Sequence, residues 1–175
     1  MKSPVVAGAL LVAVVLVGCG GSTRTLTATD VSNIPPGSAV GTTLSGTYLV
    51  VSGSIDDCDC RVGSCSEFHA EIGVTYTIVE QDGALSITDS GDDTGTPLLG
   101  GVDADDSFSA GGVAQVPAYL GQGVIYALEE GKFSVSGGAP TGVSFSIDET
   151  VKTTIGGTTS DCDIHGSSSA EYEGP

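Results

Sequence analysis

Phe68-His69-Ala70-Glu71-Ile72-Gly73-Val74-Thr75-Tyr76-Thr77-Ile78 is the stretch whose reading decides the fold class. Phe68, Ala70, Ile72, Val74, Tyr76 and Ile78 fall on alternate positions, and Glu67, His69, Glu71, Thr75 and Thr77 lie between them. Successive side chains of a strand point to opposite faces, so a period of two marks a strand with one buried face. Asp82-Gly83 comes next, a pair suited to a tight hairpin turn, and Leu85-Ser86-Ile87-Thr88 runs back.

The same pattern extends in both directions. Tyr48-Leu49-Val50-Val51 reads as a strand that ends before the acidic, cysteine-rich stretch Asp56 to Cys65. Downstream, Asp89 to Pro97 is a polar turn region, a weak strand spans Leu98 to Val102, and Asp103 to Ser107 is an acidic turn before Phe108. Gly111 to Gly123 reads as a long loop. Val124 to Leu128 and Lys132 to Val135 suggest a hairpin around Glu129-Glu130-Gly131. Val143, Phe145 and Ile147 alternate again and continue through Val151 and Ile155 to a turn at Gly156-Gly157. The last strand sets Cys162, Ile164, Ala170 and Tyr172 on one face and Asp163, His165 and Glu171 on the other. The expectation is an all-β fold, an antiparallel meander of about seven or eight strands closed as a barrel or folded as a sandwich. This strand spacing resembles that of small lipocalin-like β domains of exported bacterial proteins.

Composition agrees with strands. The chain has 27 Gly, no Trp, 5 Tyr and 4 Phe, so its core must come mainly from Val, Ile and Leu. Charge is lopsided, with 5 Lys and Arg against 22 Asp and Glu. Such a surface repels phosphate backbones, so nucleic acid is not an expected partner.

The N-terminus carries an address. Lys2 is followed by an apolar run from Val5 to Val17, too short to span a bilayer as a helix, and then by Leu16-Val17-Gly18-Cys19. These four residues resemble the lipobox of bacterial lipoproteins. The resemblance implies a signal peptide over 1–18, lipidation of Cys19, anchoring to a membrane of the cell envelope, and, because Gly20 rather than Asp follows, the outer membrane. Residues 19–43, with Pro35-Pro36 and many Ser, Thr and Gly, read as a flexible tether reaching up to roughly 80 Å. Residues 44–175 form the β domain. Loss of Lys2 with the signal peptide leaves 4 basic residues against the 22 acidic ones.

Outside the cytoplasm, Cys58, Cys60, Cys65 and Cys162 are expected to pair as disulfides. If the first and last strands close a barrel, Cys58 or Cys60 lies beside Cys162. The favoured pairing is Cys58–Cys162 with Cys60–Cys65, because a Cys58–Cys60 bridge would be strained. A zinc or copper site built from these cysteines with His69 and His165 is the rival, though its spacing matches no standard zinc pattern. Asp57, Asp59, Asp161 and Asp163 flank the cysteines and would share the opposite face, where they offer a weak calcium site; otherwise no cofactor is expected.

Catalytic chemistry is thin. Two histidines lie in no nucleophile or metalloprotease motif, and no glycine-rich phosphate loop precedes a helix. The expected function is therefore a binding or structural envelope module, not an enzyme, with a small molecule or a protein as partner. The alternative is a carboxylate-dependent hydrolase of the envelope, which would need a cleft holding paired carboxylates, one with a raised pKa.

Overall fold

Alternating side chains and short turns leave each strand one neighbour on either side, and the ring closes on itself. In a computed structural model, β1 (Gly46–Cys60), β2 (Thr75–Gln81), β3 (Ala84–Asp89), β4 (Leu98–Val102), β5 (Ser107–Gln115), β6 (Gln122–Ser136), β7 (Ala139–Ile155) and β8 (Thr158–Gly174) pair antiparallel in sequence order. β8 pairs back onto β1, which makes the meander a closed barrel. The structure describes residues 23–40, 44–91, 95–116, 122–155 and 157–175. The lipobox with Cys19, and Gly156 of the expected Gly156-Gly157 turn, lie outside the described residues.

The Asp82-Gly83 turn forms as its sequence suggests, with φ of 50° and 78° at the two positions. Other boundaries moved. β2 begins at Thr75, and residues 68–74 leave the sheet, with Ile72 61 % exposed. Glu129-Glu130-Gly131 is not a turn but the middle of β6; the chain reverses at Gly137-Gly138, both in the left-handed region. Gly131 is required because the β7 backbone passes closely, and a Cβ there would lie 2.3 Å from the Ser144 carbonyl oxygen. Gly111 and Gly112 belong to β5 rather than to a loop.

The barrel is packed solid at the end that holds the β2–β3, β4–β5 and β6–β7 turns. There Tyr48, Tyr76, Phe108, Phe133 and Phe145 interdigitate with Leu44, Val50 and Val102. Tyr48 meets Tyr172 and Phe133 edge-on, with centroids 5.2 and 5.9 Å apart, near the favoured range for aromatic pairs. Its hydroxyl donates to the Leu44 carbonyl at 2.7 Å, which satisfies the buried phenol.

The segment expected as part of a flexible tether is instead an arm over residues 23–40. Leu26, Val31 and Ile34, on and beside the short helix α1 (Ala28–Ser32), cover Leu128, Val113 and Tyr126 on the outside of β5 and β6. The arm then crosses β4, where the Gly37 N–H donates to the Gly83 carbonyl and the Ala39 N–H to the Val102 carbonyl. Gly101 allows this approach, since a Cβ there would sit 2.1 Å from the Gly37 nitrogen. Apolar residues spaced within a polar stretch account for the difference: the Pro-, Ser- and Thr-rich composition hid three side chains that bury against the wall.

Along the β1–β8 seam, two shifts of register decide the disulfides. Tyr48 faces Tyr172 and Val50 faces Ala170; continued without interruption, that register would set Cys58 opposite Cys162. Bulges at Val50/Ser52 and Ile55/Asp57 each add a residue to β1, so Cys60 faces Cys162 instead. The bridges are accordingly Cys60–Cys162, with Cα atoms 4.1 Å apart, and Cys58–Cys65, with Cα atoms 6.0 Å apart. The favoured pairing read from the sequence was thus the wrong one of the two that join β1 to β8.

Peptide mapping without reduction should recover Cys60 linked to Cys162 and Cys58 linked to Cys65. On the chain-entropy relation, removing the long-range bridge with Cys60→Ala/Cys162→Ala should cost about 4.7 kcal/mol, and Cys58→Ala/Cys65→Ala about 2.5 kcal/mol. Denaturant titration of the two double variants checks both the order and the size; equal losses would contradict the assignment.

Candidate functional site

The opposite half of the barrel is not filled. β2, β3 and β4 have 7, 6 and 5 residues, whereas β6, β7 and β8 have 15, 17 and 17. The long strands rise past the short ones. A cavity of about 680 Å³ occupies this half. Its apolar wall includes Ile87, Leu98, Ile125, Ile147, Val151 and Ile164, with Gly112, Ala127 and Gly166 keeping it wide. A volume of this order holds a small organic molecule. Along β8, Cys162, Ile164 and Ala170 are buried inward while Glu171 is exposed outward. That is the reverse of a barrel whose outer face meets lipid.

The segment between β1 and β2 forms the cavity's cover. Ser64, Phe68, His69, Ala70 and Glu71 all border it. The Cys58–Cys65 bridge fixes one end at the 3-10 turn Cys65–Glu67. The other end is fixed by backbone bonds of 2.9 Å, from Gly73 N–H to the Val50 carbonyl and from Val50 N–H to the Val74 carbonyl.

Four carboxylates, Glu71, Asp89, Glu129 and Glu149, border the same space around Tyr76. Glu129 is 5 % exposed, and its Oε2 has no hydrogen-bond partner among the described residues. Burial, then the charges of Glu149 and Asp89, push its pKa up to about 8, while a hydrogen bond from the Tyr76 hydroxyl pulls the other way. Burial, and next the Glu129 charge, hold the Tyr76 phenol far above its ordinary value, so it remains a donor. Glu129 and Glu149 belong to adjacent strands on one face: Glu129 faces Ile147 across the ladder, two residues from Glu149.

Sequence reasoning missed Glu129 because Glu-Glu-Gly looked like a turn. The signal was present: Ile125, Ala127, Glu129, Gly131 and Phe133 continue the period of two across it without a break. The acids that were singled out lie elsewhere. Asp59 and Asp163 are direct cross-strand partners on the outer face, as the alternation implied. Asp163 accepts from the Thr150 hydroxyl at 2.6 Å and from the Thr25 hydroxyl; Asp161 faces Arg61 at 3.5 Å; Asp57 accepts from the Cys58 N–H at 2.9 Å. Among the described residues, the set of three or more ligand atoms within 4.8 Å of one another is Cys58, Cys60 and Cys65, not these aspartates. Those cysteines are already in disulfides, so the zinc or copper alternative has no thiolates to use. His69 borders the cavity, and His165 pairs with Asp148 at 2.6 Å on the outer face.

No protein-family model matches this chain, and no curated protein matches its sequence.

Between the ordinary carboxyl value of 4.5 and about 8, folded Glu129 holds a proton that the unfolded chain releases. Stability should therefore fall as pH rises through that window, by roughly 1.4 kcal/mol per unit from this group. Glu129→Gln should remove this decline and gain on the parent protein between pH 5 and pH 8. Unfolding titrations at the two pH values check it; parallel slopes would place Glu129 in contact with water.

Proposed function

We propose that this chain is a lipid-anchored lipoprotein of the bacterial cell envelope whose barrel binds a small, largely apolar molecule. The observation that carries the binding reading is the cavity of about 680 Å³, walled by aliphatic side chains and covered by a disulfide-fixed segment. A barrel serving only as a coat or spacer gains nothing from an unfilled interior, because each missing contact costs packing energy.

The anchor rests on Lys2, the apolar run and Leu16-Val17-Gly18-Cys19. With Thr25 bonded to Asp163, only about six residues separate Cys19 from the barrel wall, a reach of at most about 22 Å. Asp163 neighbours Cys162 on the cavity-bearing half, so in this reading that half is held close to the membrane. The outer membrane remains the expected location, since Gly20 follows the lipidated cysteine. A second reading has one observation in its favour: a protonated Glu129 beside Glu149 is the arrangement a carboxylate hydrolase needs for a general acid. Most of the wall is aliphatic, with Ile87, Leu98, Ile125, Ile147, Val151 and Ile164 lining the space, so binding of a largely apolar molecule is the better account.

A neutral apolar fluorophore such as diphenylhexatriene should bind saturably at one site per barrel. Ala127→Trp, which fills the cavity from β6, should abolish the signal while leaving the fold intact by circular dichroism. No saturable binding, or binding unchanged in Ala127→Trp, would contradict the reading. In cells, Cys19→Ser should remove palmitate labelling and leave the unprocessed precursor; retained labelling would contradict the anchor.

A further inference from the structure

The cavity joins two unlike surfaces. Most of its wall is aliphatic, yet Glu71, Asp89, Glu129 and Glu149 all border it. No Lys or Arg lines it among the described residues; His69, exposed on the covering segment, is its one basic group there. Like charges gathered in a poorly hydrated space are relieved by protonation, as burial favours at Glu129, or by a ligand of opposite charge. Glu129 makes the point sharply, with a buried Oε2 that no donor reaches among the described residues.

A bare metal ion does not fit this arrangement. Among the described residues, no three of these carboxylates bring oxygen atoms within 4.8 Å of one another, whereas a hard divalent cation takes six or more close oxygens. An ammonium group has three donors and needs only one or two carboxylates within reach. Glu129 and Glu149, on one face of adjacent strands and two residues apart across the ladder, supply such a pair. Ile147, Val151 and Ile164, inward on the same wall, supply a surface for a hydrocarbon chain.

We propose that the cavity binds an alkylammonium, its charged head against Glu129 and Glu149 and its hydrocarbon chain along Ile147, Val151 and Ile164. This rests on the binding function proposed above and names its ligand class. Head and chain act together in one molecule: a short polar amine leaves the aliphatic wall uncovered, and a neutral hydrocarbon places no donor at the buried Glu129 Oε2.

Octylamine and octan-1-ol test it, since they match in length and differ in charge; an alkylamine, like a lysine side chain, is protonated at pH 8. Calorimetric titration of the oxidised protein at pH 8 and fixed ionic strength should find octylammonium bound at least tenfold more tightly. Glu129→Gln should shrink that preference to less than threefold, and Glu149→Gln should reduce it in the same direction. Glu130→Gln, at an exposed outward position of β6, should preserve the preference and so separates the cavity from general attraction to an acidic surface. Equal affinities in the parent protein would overturn the ligand class while leaving a binding cavity in place. A preference intact in Glu129→Gln would overturn the site. Binding of neither compound would overturn both the ligand class and the binding function.

Discussion

The pairing of the first strand with the last is the constraint on which the rest of the molecule depends. β1 and β8 meet from Thr47 opposite Gly174 to Cys60 opposite Cys162, and without that seam each would be a long open edge. Closure gives the inward side chains an inside to occupy. The bridge at its far end closes a loop of about a hundred residues and so acts chiefly on the unfolded chain, whose freedom it restricts. The two bulges along β1 bend the strand and also choose which cysteine meets Cys162. That choice leaves Cys58 for Cys65, which fixes the segment over the cavity.

A barrel closed in this way could be solid throughout, and the distribution of large side chains explains why it is not. Tyr48, Tyr76, Phe108, Phe133, Phe145 and Tyr172 crowd the end where the strands are evenly matched. Above them the inward positions of β5, β6 and β8 turn to Gly112, Ala114, Ala127 and Gly166. The packed floor can hold the open half in shape because the strands run without interruption from one to the other. Glu129 stands where the two halves meet, which is why burial outweighs hydration in setting its protonation.

Much of this was legible in the sequence. The period-two runs, the Asp82-Gly83 turn and the even set of cysteines after Cys19 carry the closed meander and the covalent joining of its first and last strands. What was not legible depended on contacts between distant segments. A bulge has no signature in residue type here, so the register that exchanges Cys58 for Cys60 was hidden. The arm looked like a linker because its few apolar residues, Leu26, Val31 and Ile34, bury against a wall that exists only once β5 and β6 are folded. Glu129 looked like a turn residue because a carboxylate at an inward position runs against the usual preference, and the opposing rule, unbroken alternation, was the stronger one.

Native-state amide hydrogen exchange tests the closing seam most directly. If closure holds the barrel together, the bonded amides from Ser52 to Cys60 and their partners in β8 should exchange only through global unfolding, with the same free energy as amides beside Tyr48 and Phe133. Seam amides that exchange far faster than that core, in the fully oxidised protein, would mean the barrel opens between β1 and β8 and would contradict the account.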